Sequence, residues 1–289
     1  MPDLRVDILT GDQVIVAPGR ATRPDTFRVP AAPALPAAVA TCPFCPGNEH
    51  ETPPEVFRTG PGAPDTPGWR VRVVPNLYPI LPGAHEVVIL SPAHDHSLAQ
   101  LDDGAARELF QVMRDRVVHH VEVGCAYVQA FVNHGRAAGA SIEHPHGQVI
   151  GLSEVPPRVA ALTDCLDAAV DEVRGTPLLL RDNDVVVWSP PAAITPSAVR
   201  IALPAARARF EQCDDDTVGA TALATRDAVR AIDTVFGDVS YNVVVQQGPR
   251  WWVDIVPRMT VRAGFELGTG LHVNPVRPED AAAALREAL

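Results

Sequence analysis

The chain of 289 residues contains no lysine. Its 24 basic side chains are all arginines, set against 35 acidic ones for a formal charge of −11. So acidic a balance excludes a general binder of nucleic acid or of anionic membranes. It also restricts the chemistry: a phosphate site here must be built from Arg, His, backbone N–H groups or a helix terminus. Long apolar runs are missing too. No stretch reaches the roughly 18 residues needed to span a bilayer, and MPDLRVDILTGDQ at the start holds no apolar signal core, so the expected location is the cytoplasm. Cysteine is scarce and odd in number, five in all. In a reducing compartment this points to a metal site or buried thiols rather than a disulfide framework.

What is present is ordinary for a soluble globular protein: 46% hydrophobic and 20% charged residues, loop-rich through 20 Gly and 29 Pro. A chain this long buries roughly three quarters of the surface its unfolded form exposes, so it folds without covalent staples. Residues 4–17 read as strands around a turn at Thr10-Gly11-Asp12, and the Pro-rich residues 18–68 as a long, partly irregular connection. Two β-like runs follow, Val71–Val74 and His85–Leu90. Next comes a helix capped by Asp102 or Asp103, with Leu109, Val112, Met113, Arg116, Val117, His120 and Val121 in a 3.6-residue rhythm. A strand at Ala126–Val132 and another at SIEHPHGQVIG (Ser141–Gly151) complete the set.

The second half repeats this order. Val185–Asp216 reads as strand, Pro-rich turn, strand and Asp cluster; a helix runs from Thr217 to about Phe236; YNVVVQQG (Tyr241–Gly248) and RWWVDIVPR (Arg250–Arg258) read as strands. Pro92 matches Pro204, Asp102 matches Asp214 and Gly135 matches Gly248, at a constant offset of 112–113 residues. A duplicated strand–strand–helix–strand–strand unit explains this. The expected fold is α+β, with two units (residues 1–155 and 156–289) sharing an antiparallel sheet flanked by helices. Where the first copy has His144-x-His146-x-Gln148, the second has Arg250-x-Trp252-x-Asp254. Imidazoles in one copy only point to chemistry in the first half, with the second half in support.

Cys42-x-x-Cys45 lies in a Pro/Gly loop, TCPFCPGNEH, and can bring two thiolates to one metal or leave two unligated thiols. A redox pair fits less well, because the stretch does not join a strand to a helix. His94 and His144 would complete a Cys2His2 set, with His96 competing with His94. His50, His119, His120 and His134 read as surface or core residues, and Cys125, Cys165 and Cys213 as buried small hydrophobes.

Six segments together resemble the galactose-1-phosphate uridylyltransferase family of the histidine triad superfamily. They are LTGDQVIVAPGRATRP (Leu9–Pro24), CPFCPGNE (Cys42–Glu49), VVPNLYP (Val73–Pro79), SPAHDHSL (Ser91–Leu98), NHGRAAGASIEHPHGQ (Asn133–Gln148) and PRMTVRAGFELGTG (Pro257–Gly270). The resemblance implies histidine-triad-like units, the first carrying the catalytic HPHGQ and the zinc loop, the second degenerate and completing the sheet and sugar site. It makes His146 the nucleophile that attacks the α-phosphorus of a UDP-sugar, forming a covalent uridylyl-histidine that a second hexose 1-phosphate discharges by a ping-pong route. Neutral imidazole is a good nucleophile at pH 7, and a backbone carbonyl on its other nitrogen would fix the tautomer. Gln148 stands where histidine triad hydrolases carry a further His. It can donate a hydrogen bond to a phosphoryl oxygen but cannot act as an acid, which suits a leaving group that needs no proton.

By the same resemblance Cys42, Cys45, His94 and His144 hold one structural Zn2+, the S-P-x-H segment selecting His94 over His96. Arg20 and Arg23 fall near the nucleotide phosphates. Asn76, Asn133 and Ser141 contact uridine, ribose or phosphate, Gly139 and Ala140 let backbone N–H groups approach an oxyanion, and Glu266 contacts hexose hydroxyls. Partners would be a nucleotide sugar, a sugar 1-phosphate and a second copy in a homodimer, with no nucleic acid and no membrane. Trp251-Trp252-Val253-Asp254 departs from relatives with histidines there, which argues against a second metal, and the tryptophans would pack in the core or border the sugar pocket. His272 and Asn274 lie where sugar or partner contacts would fall. The leading expectation is therefore transfer of UMP between UDP-hexose and hexose 1-phosphate. The alternative is an ADP-sugar or dinucleoside-polyphosphate phosphorylase using the same histidine, since the C-terminal segment also resembles phosphorylase-type relatives. A third reading is a zinc-stabilised nucleotide binder without catalysis, against which the intact HPHGQ argues.

Overall fold

The computed structural model describes residues 3–21 and 41–289. An N-terminal hairpin, β1 (Asp3–Val6) and β2 (Gln13–Val16), turns at the predicted place. The connection that follows includes 3-10 turns at Pro18–Arg20 and Glu49–Glu51 before β3 (Phe57–Arg58). The first repeat comprises β4 (Arg72–Pro75), β5 (His85–Ile89), α1 (Asp103–Glu122), β6 (Tyr127–His134) and β7 (His146–Leu152). Short α2 (Pro157–Ala160), α3 (Leu166–Val173) and β8 (Leu179–Asp182) lead into the second: β9 (Val186–Trp188), β10 (Val199–Ala202), α4 (Asp215–Phe236), β11 (Tyr241–Gln247) and β12 (Trp251–Pro257). The chain closes with α5 (Gly264–Thr269), β13 (His272–Asn274) and α6 (Pro278–Ala288). No described helix is long and apolar enough to cross a membrane.

Of the two aspartates that could cap α1, Asp102 does so, and its match in the repeat, Asp214, caps α4. Asp102 accepts from the N–H of Ala105, and Asp214 from that of Thr217, each at 2.8 Å. Each satisfies one of the four N–H groups left over at a helix start, worth about 1 kcal/mol. α1 buries Leu109, Val112, Met113, Arg116, Val117 and His120 as its rhythm requires. Val121, counted with them in the sequence, is exposed. α4 starts two residues earlier than expected, since its cap at Asp214 fixes the first turn.

Ten strands form one sheet in the order β3-β4-β5-β7-β6-β11-β12-β10-β9-β8, every pairing antiparallel. Outward from the central β6–β11 seam, equivalent strands come in the same order on both sides. This is the pseudo-twofold sheet expected of a duplicated unit. α1 and α4 cover one face, over a continuous core that includes Val88, Val149, Val132, Val243, Val253 and Ile255. The other face is covered unevenly. In the first half the cysteine loop packs there, with Phe44, Trp69, Val74, Val87 and Ile89. In the second half α3, Leu9, Trp188 and Trp252 do so. Between these covers the middle strands present half-buried Phe131, Asn133, Gln148, Asn242 and Val244.

β1, β2 and β13 make a second, small sheet, β13 running parallel to β2. The hairpin therefore docks on the second half. Asp12 pairs with Arg158 at 2.6 Å, and Asp7 with buried Arg200 at 2.8 Å. The contacts of residues 3–16 therefore run across the expected division at residue 155.

Candidate active site

β7 carries the site because of its period of two. His146, Gln148 and Ile150 share one face, while Gly147 and Val149 face the helices. A side chain at Gly147 would meet Phe131 O at 3.1 Å and Val132 Cγ2 at 3.3 Å, so the residue between His146 and Gln148 has little room to grow.

Just before the strand, His144 is fully buried. Its Nε2 lies 2.8 Å from Ser91 O, so that nitrogen donates and Nδ1 is left as the lone-pair side. Nδ1 faces two thiols, 3.7 Å from Cys42 Sγ and 3.6 Å from Cys45 Sγ, and His94 Nδ1 lies 3.3 Å from Cys45 Sγ. The four ligand atoms all lie within 4.8 Å of one another. A tetrahedral Zn2+ with bonds of about 2.0–2.3 Å keeps its ligands about 3.3–3.8 Å apart, so the residues present fit such an ion. The electrostatics agree. Burial, with His94 and His146 close by, pushes His144 down to about 4 despite the Ser91 bond, keeping it neutral as a ligand must be. Burial and the neighbouring Cys42 push the Cys45 thiol up to about 11, a cost that a bound cation would reverse. His96 is exposed and outside the group, so His94 is the histidine that closes it.

His146 is 5% exposed and packs edge-on against Phe44, ring centres 5.3 Å apart. Its Nδ1 lies 2.8 Å from the carbonyl oxygen of His144. A carbonyl only accepts, so Nδ1 carries the proton and Nε2 keeps its lone pair. Burial lowers the His146 pKa, partly offset by the His144 carbonyl, and favours the neutral ring. The candidate metal-ligand group and His146 are thus coupled: the residue whose side chain faces the thiols supplies the carbonyl that sets the His146 tautomer.

Gln148 Oε1 lies 2.7 Å from His85 Nε2. Sequence reasoning passed over His85, as it did Phe44 and Asn242. Asn242 of β11 donates to Asn133 Oδ1 at 2.7 Å and to Ala138 O at 2.9 Å, tying the 135–139 loop to the second half. Their partners lie across the sheet or in a loop far along the chain, so only register could have revealed them.

The structure corrects one expectation and narrows others. The N–H groups of Gly139 and Ala140 are already donated to Arg136 O and Gly135 O, at 3.0 and 3.2 Å, and are not free oxyanion donors in this loop. Gly139 sits at φ 92°, left-handed backbone that a glycine adopts without strain. Ser141 and Arg20 are exposed; Asn76 is half-buried and accepts from Tyr78 N–H. Arg23 lies outside the described residues. Glu266 caps its own short helix by accepting from Ala263 N–H at 2.8 Å. Trp251 and Trp252 both pack in the core, on opposite faces. Trp251 donates to Cys213 Sγ on the helix side, and Trp252 to Asp254 on the other. Asn274 is buried and bonds Ala193 O and Thr195 O, a structural role, whereas His272 is half-buried near Asp12. A cavity of about 420 Å3 opens at the far end of β5, lined by Asn76, His85, Glu86, Arg116, His119 and His120. It does not include His146, and its Glu86 and Arg116 neutralise each other in a two-point pair at 2.6 and 2.8 Å.

Comparison with known proteins agrees with this geometry. The family described as galactose-1-phosphate uridyl transferase, N-terminal domain, matches residues 80–156, the segment holding His94, His144, His146 and Gln148. An ADP-glucose phosphorylase of Arabidopsis thaliana is 30% identical, over 99% of this chain and 93% of its own length. A galactose-1-phosphate uridylyltransferase of Streptomyces lividans is 31% identical, over 60% of this chain and 44% of its own. The crystal structure of the Arabidopsis thaliana ADP-glucose phosphorylase with bound ADP-glucose superposes with a TM-score of 0.85, covering 99% of this chain and 98% of that one. Likeness that runs the full length in sequence and in fold, with the family match over residues 80–156, shows that the chain belongs to the galactose-1-phosphate uridylyltransferase family.

Proposed function

We propose that the protein is a nucleotide-sugar phosphorylase: it transfers the nucleotidyl group of ADP-glucose to inorganic phosphate through a covalent nucleotidyl-His146. The observation that carries this reading is the 2.8 Å contact of His146 Nδ1 with the His144 carbonyl, which leaves Nε2 as the nucleophile. Full-length likeness to an ADP-glucose phosphorylase supports this donor and acceptor over the UDP-hexose pair expected first.

Nε2 attacks the α-phosphorus in line. The bond from that phosphorus to the bridging oxygen breaks, and glucose 1-phosphate leaves with the electron pair. As a phosphate it needs no proton, which is why an amide suffices at residue 148. The phosphorylated ring is cationic, and its Nδ1–H bond to the His144 carbonyl strengthens as that charge appears. An oxygen of inorganic phosphate then attacks the same phosphorus, the P–Nε2 bond breaks, ADP leaves and the neutral ring is restored. Gln148 donates its amide N–H to a phosphoryl oxygen in both steps. Cys42, Cys45, His94 and His144 would hold a Zn2+ that fixes the start of β7 and takes no part in the bond changes.

Residues 1–155 serve as the catalytic unit and 156–289 as its support. Arg20 and Arg23 would contact the diphosphate, Asn76, Asn133 and Ser141 the nucleotide, and Glu266 the sugar. Exposed Leu77, Tyr78 and Ile80, on the turn before β5, support a homodimer; light scattering that gives the mass of one chain would rule it out. The second reading, uridylyl transfer to a hexose 1-phosphate, is favoured by the family match over residues 80–156. Offering ADP-glucose and UDP-glucose in parallel, each with phosphate or galactose 1-phosphate as acceptor, separates the two. ADP-glucose with phosphate is expected to turn over fastest, and faster turnover of UDP-glucose with galactose 1-phosphate would reverse the assignment.

A further inference from the structure

We propose that His85 is a positioning residue: it fixes the amide of Gln148 so that the N–H side of that amide, not its oxygen, faces the transferring phosphoryl group. The proposal rests on the functional reading above and adds a residue to it.

The chain of contacts starts from a donor that cannot be reassigned. The backbone N–H of Ile80 lies 3.0 Å from His85 Nδ1, so Nδ1 accepts. A neutral imidazole has one N–H, which must then sit on Nε2. Nε2 lies 2.7 Å from Gln148 Oε1. Asn76 Nδ2 also lies 3.1 Å from Nε2, but Asn76 turns its oxygen to Tyr78 N–H at 2.8 Å and offers a second donor to the ring. Two N–H groups cannot bond each other, so the shorter contact to Gln148 oxygen is the one that forms. With Oε1 held on His85, Gln148 Nε2 points the other way and makes no hydrogen bond among the described residues. Register brings this about. His85 stands opposite Ile150, Gln148 opposite Val87 and His146 opposite Ile89, so His85, Gln148 and His146 share one face of the sheet. His85 is itself 5% exposed, so bulk water competes little for its ring.

The device matters because a free glutamine amide is symmetric in shape and ambiguous in polarity. Turned over, it would aim an oxygen at a phosphoryl group and repel it. A buried ring that donates to Oε1 removes that error before substrate arrives, which is preorganisation of a donor where charge develops.

The test is the rate of single-turnover nucleotidylation by ADP-glucose, followed by intact mass, for His85→Phe, His85→Gln and Gln148→Ala and for the double variant His85→Phe/Gln148→Ala. His85→Phe keeps the volume and removes the donor, so a loss on the order of 10- to 100-fold is expected. His85→Gln restores a donor at that reach and should recover most of the rate. In the Gln148→Ala background His85→Phe should change the rate by no more than about twofold, because the residue it acts through is gone. Equal losses in both backgrounds, or a His85→Phe enzyme as fast as wild type, would overturn the proposal. Zinc content and melting temperature of each variant separate a folding defect from a chemical one. Nitrogen-15 NMR of the imidazoles should find His85 as the neutral Nε2–H tautomer, and an Nδ1–H tautomer would overturn the proposal whatever the rates. Absence of any adduct on the wild-type protein would instead sink the parent reading, while the NMR arm still decides the orientation.

Discussion

The two halves of the sheet place different side chains at equivalent points of one scaffold. In the first half Gln148 stands opposite Val87; in the second, Asp254 stands opposite Arg200. His146 corresponds to Trp252. In the second half every polar group at these points is consumed. Arg200 bonds Asp254 at 2.7 Å and Asp7 at 2.8 Å, and Trp252 and Gln246 both donate to Asp254. Burial disfavours the charge on Arg200, but the two aspartates outweigh it and hold the guanidinium firmly protonated. In the first half each group is held by one partner and keeps one polar atom over: His146 Nε2, with Nδ1 tied to a carbonyl, and Gln148 Nε2, with Oε1 tied to His85. The same fold therefore makes a closed electrostatic lock on one side and a surface with unpaired polar atoms on the other. The difference lies in which hydrogen bonds are left unmade.

That contrast can be broken at four points. The largest effect is expected at His146. His146→Asn should lower nucleotidyl transfer by at least about 10^4-fold, with little change in melting temperature, because it removes the attacking atom itself. Next is the metal. Cys42→Ser, or exhaustive chelation, should abolish stoichiometric zinc binding and lower the melting temperature, since ligation of a structural ion is linked to folding; metal analysis alongside calorimetry checks this. Third is the lock. Asp254→Ala leaves buried Arg200 short of a partner and should cost about 3–5 kcal/mol of stability. The folded fraction should keep its turnover within a few-fold, so denaturant titration and kinetics on one preparation show whether the second half supports without reacting. The smallest effects are the caps. Asp102→Ala and Asp214→Ala should each cost about 1 kcal/mol, as equivalent sites in a duplicated unit should. A large inequality between them would mean that the helices are not equivalent in packing.

Much of this was legible in the sequence because it follows from local rules. The repeat and a helix start at Asp102 or Asp103 come from spacing, and the separate roles expected of His144 and His146 come from resemblance. The two tryptophans were not separated, although their adjacency on a strand already sends them to opposite faces. What stayed hidden was non-local. His85 and Gln148 are 63 residues apart and meet through strand register, and Asn242 reaches Asn133 across the central seam. Gly139 and Ala140 look like open donors in a list of small residues. Only the loop's own hydrogen bonds show that both N–H groups are taken.

One covalent bond, between His146 Nε2 and the α-phosphorus, decides the mechanism. Intact-mass measurement of the folded, zinc-loaded protein after incubation with ADP-glucose, without phosphate, should show one AMP per chain, mapped by peptide digestion to His146. Inorganic phosphate should then discharge it as ADP. No adduct, or an adduct on any other residue, would contradict the assignment.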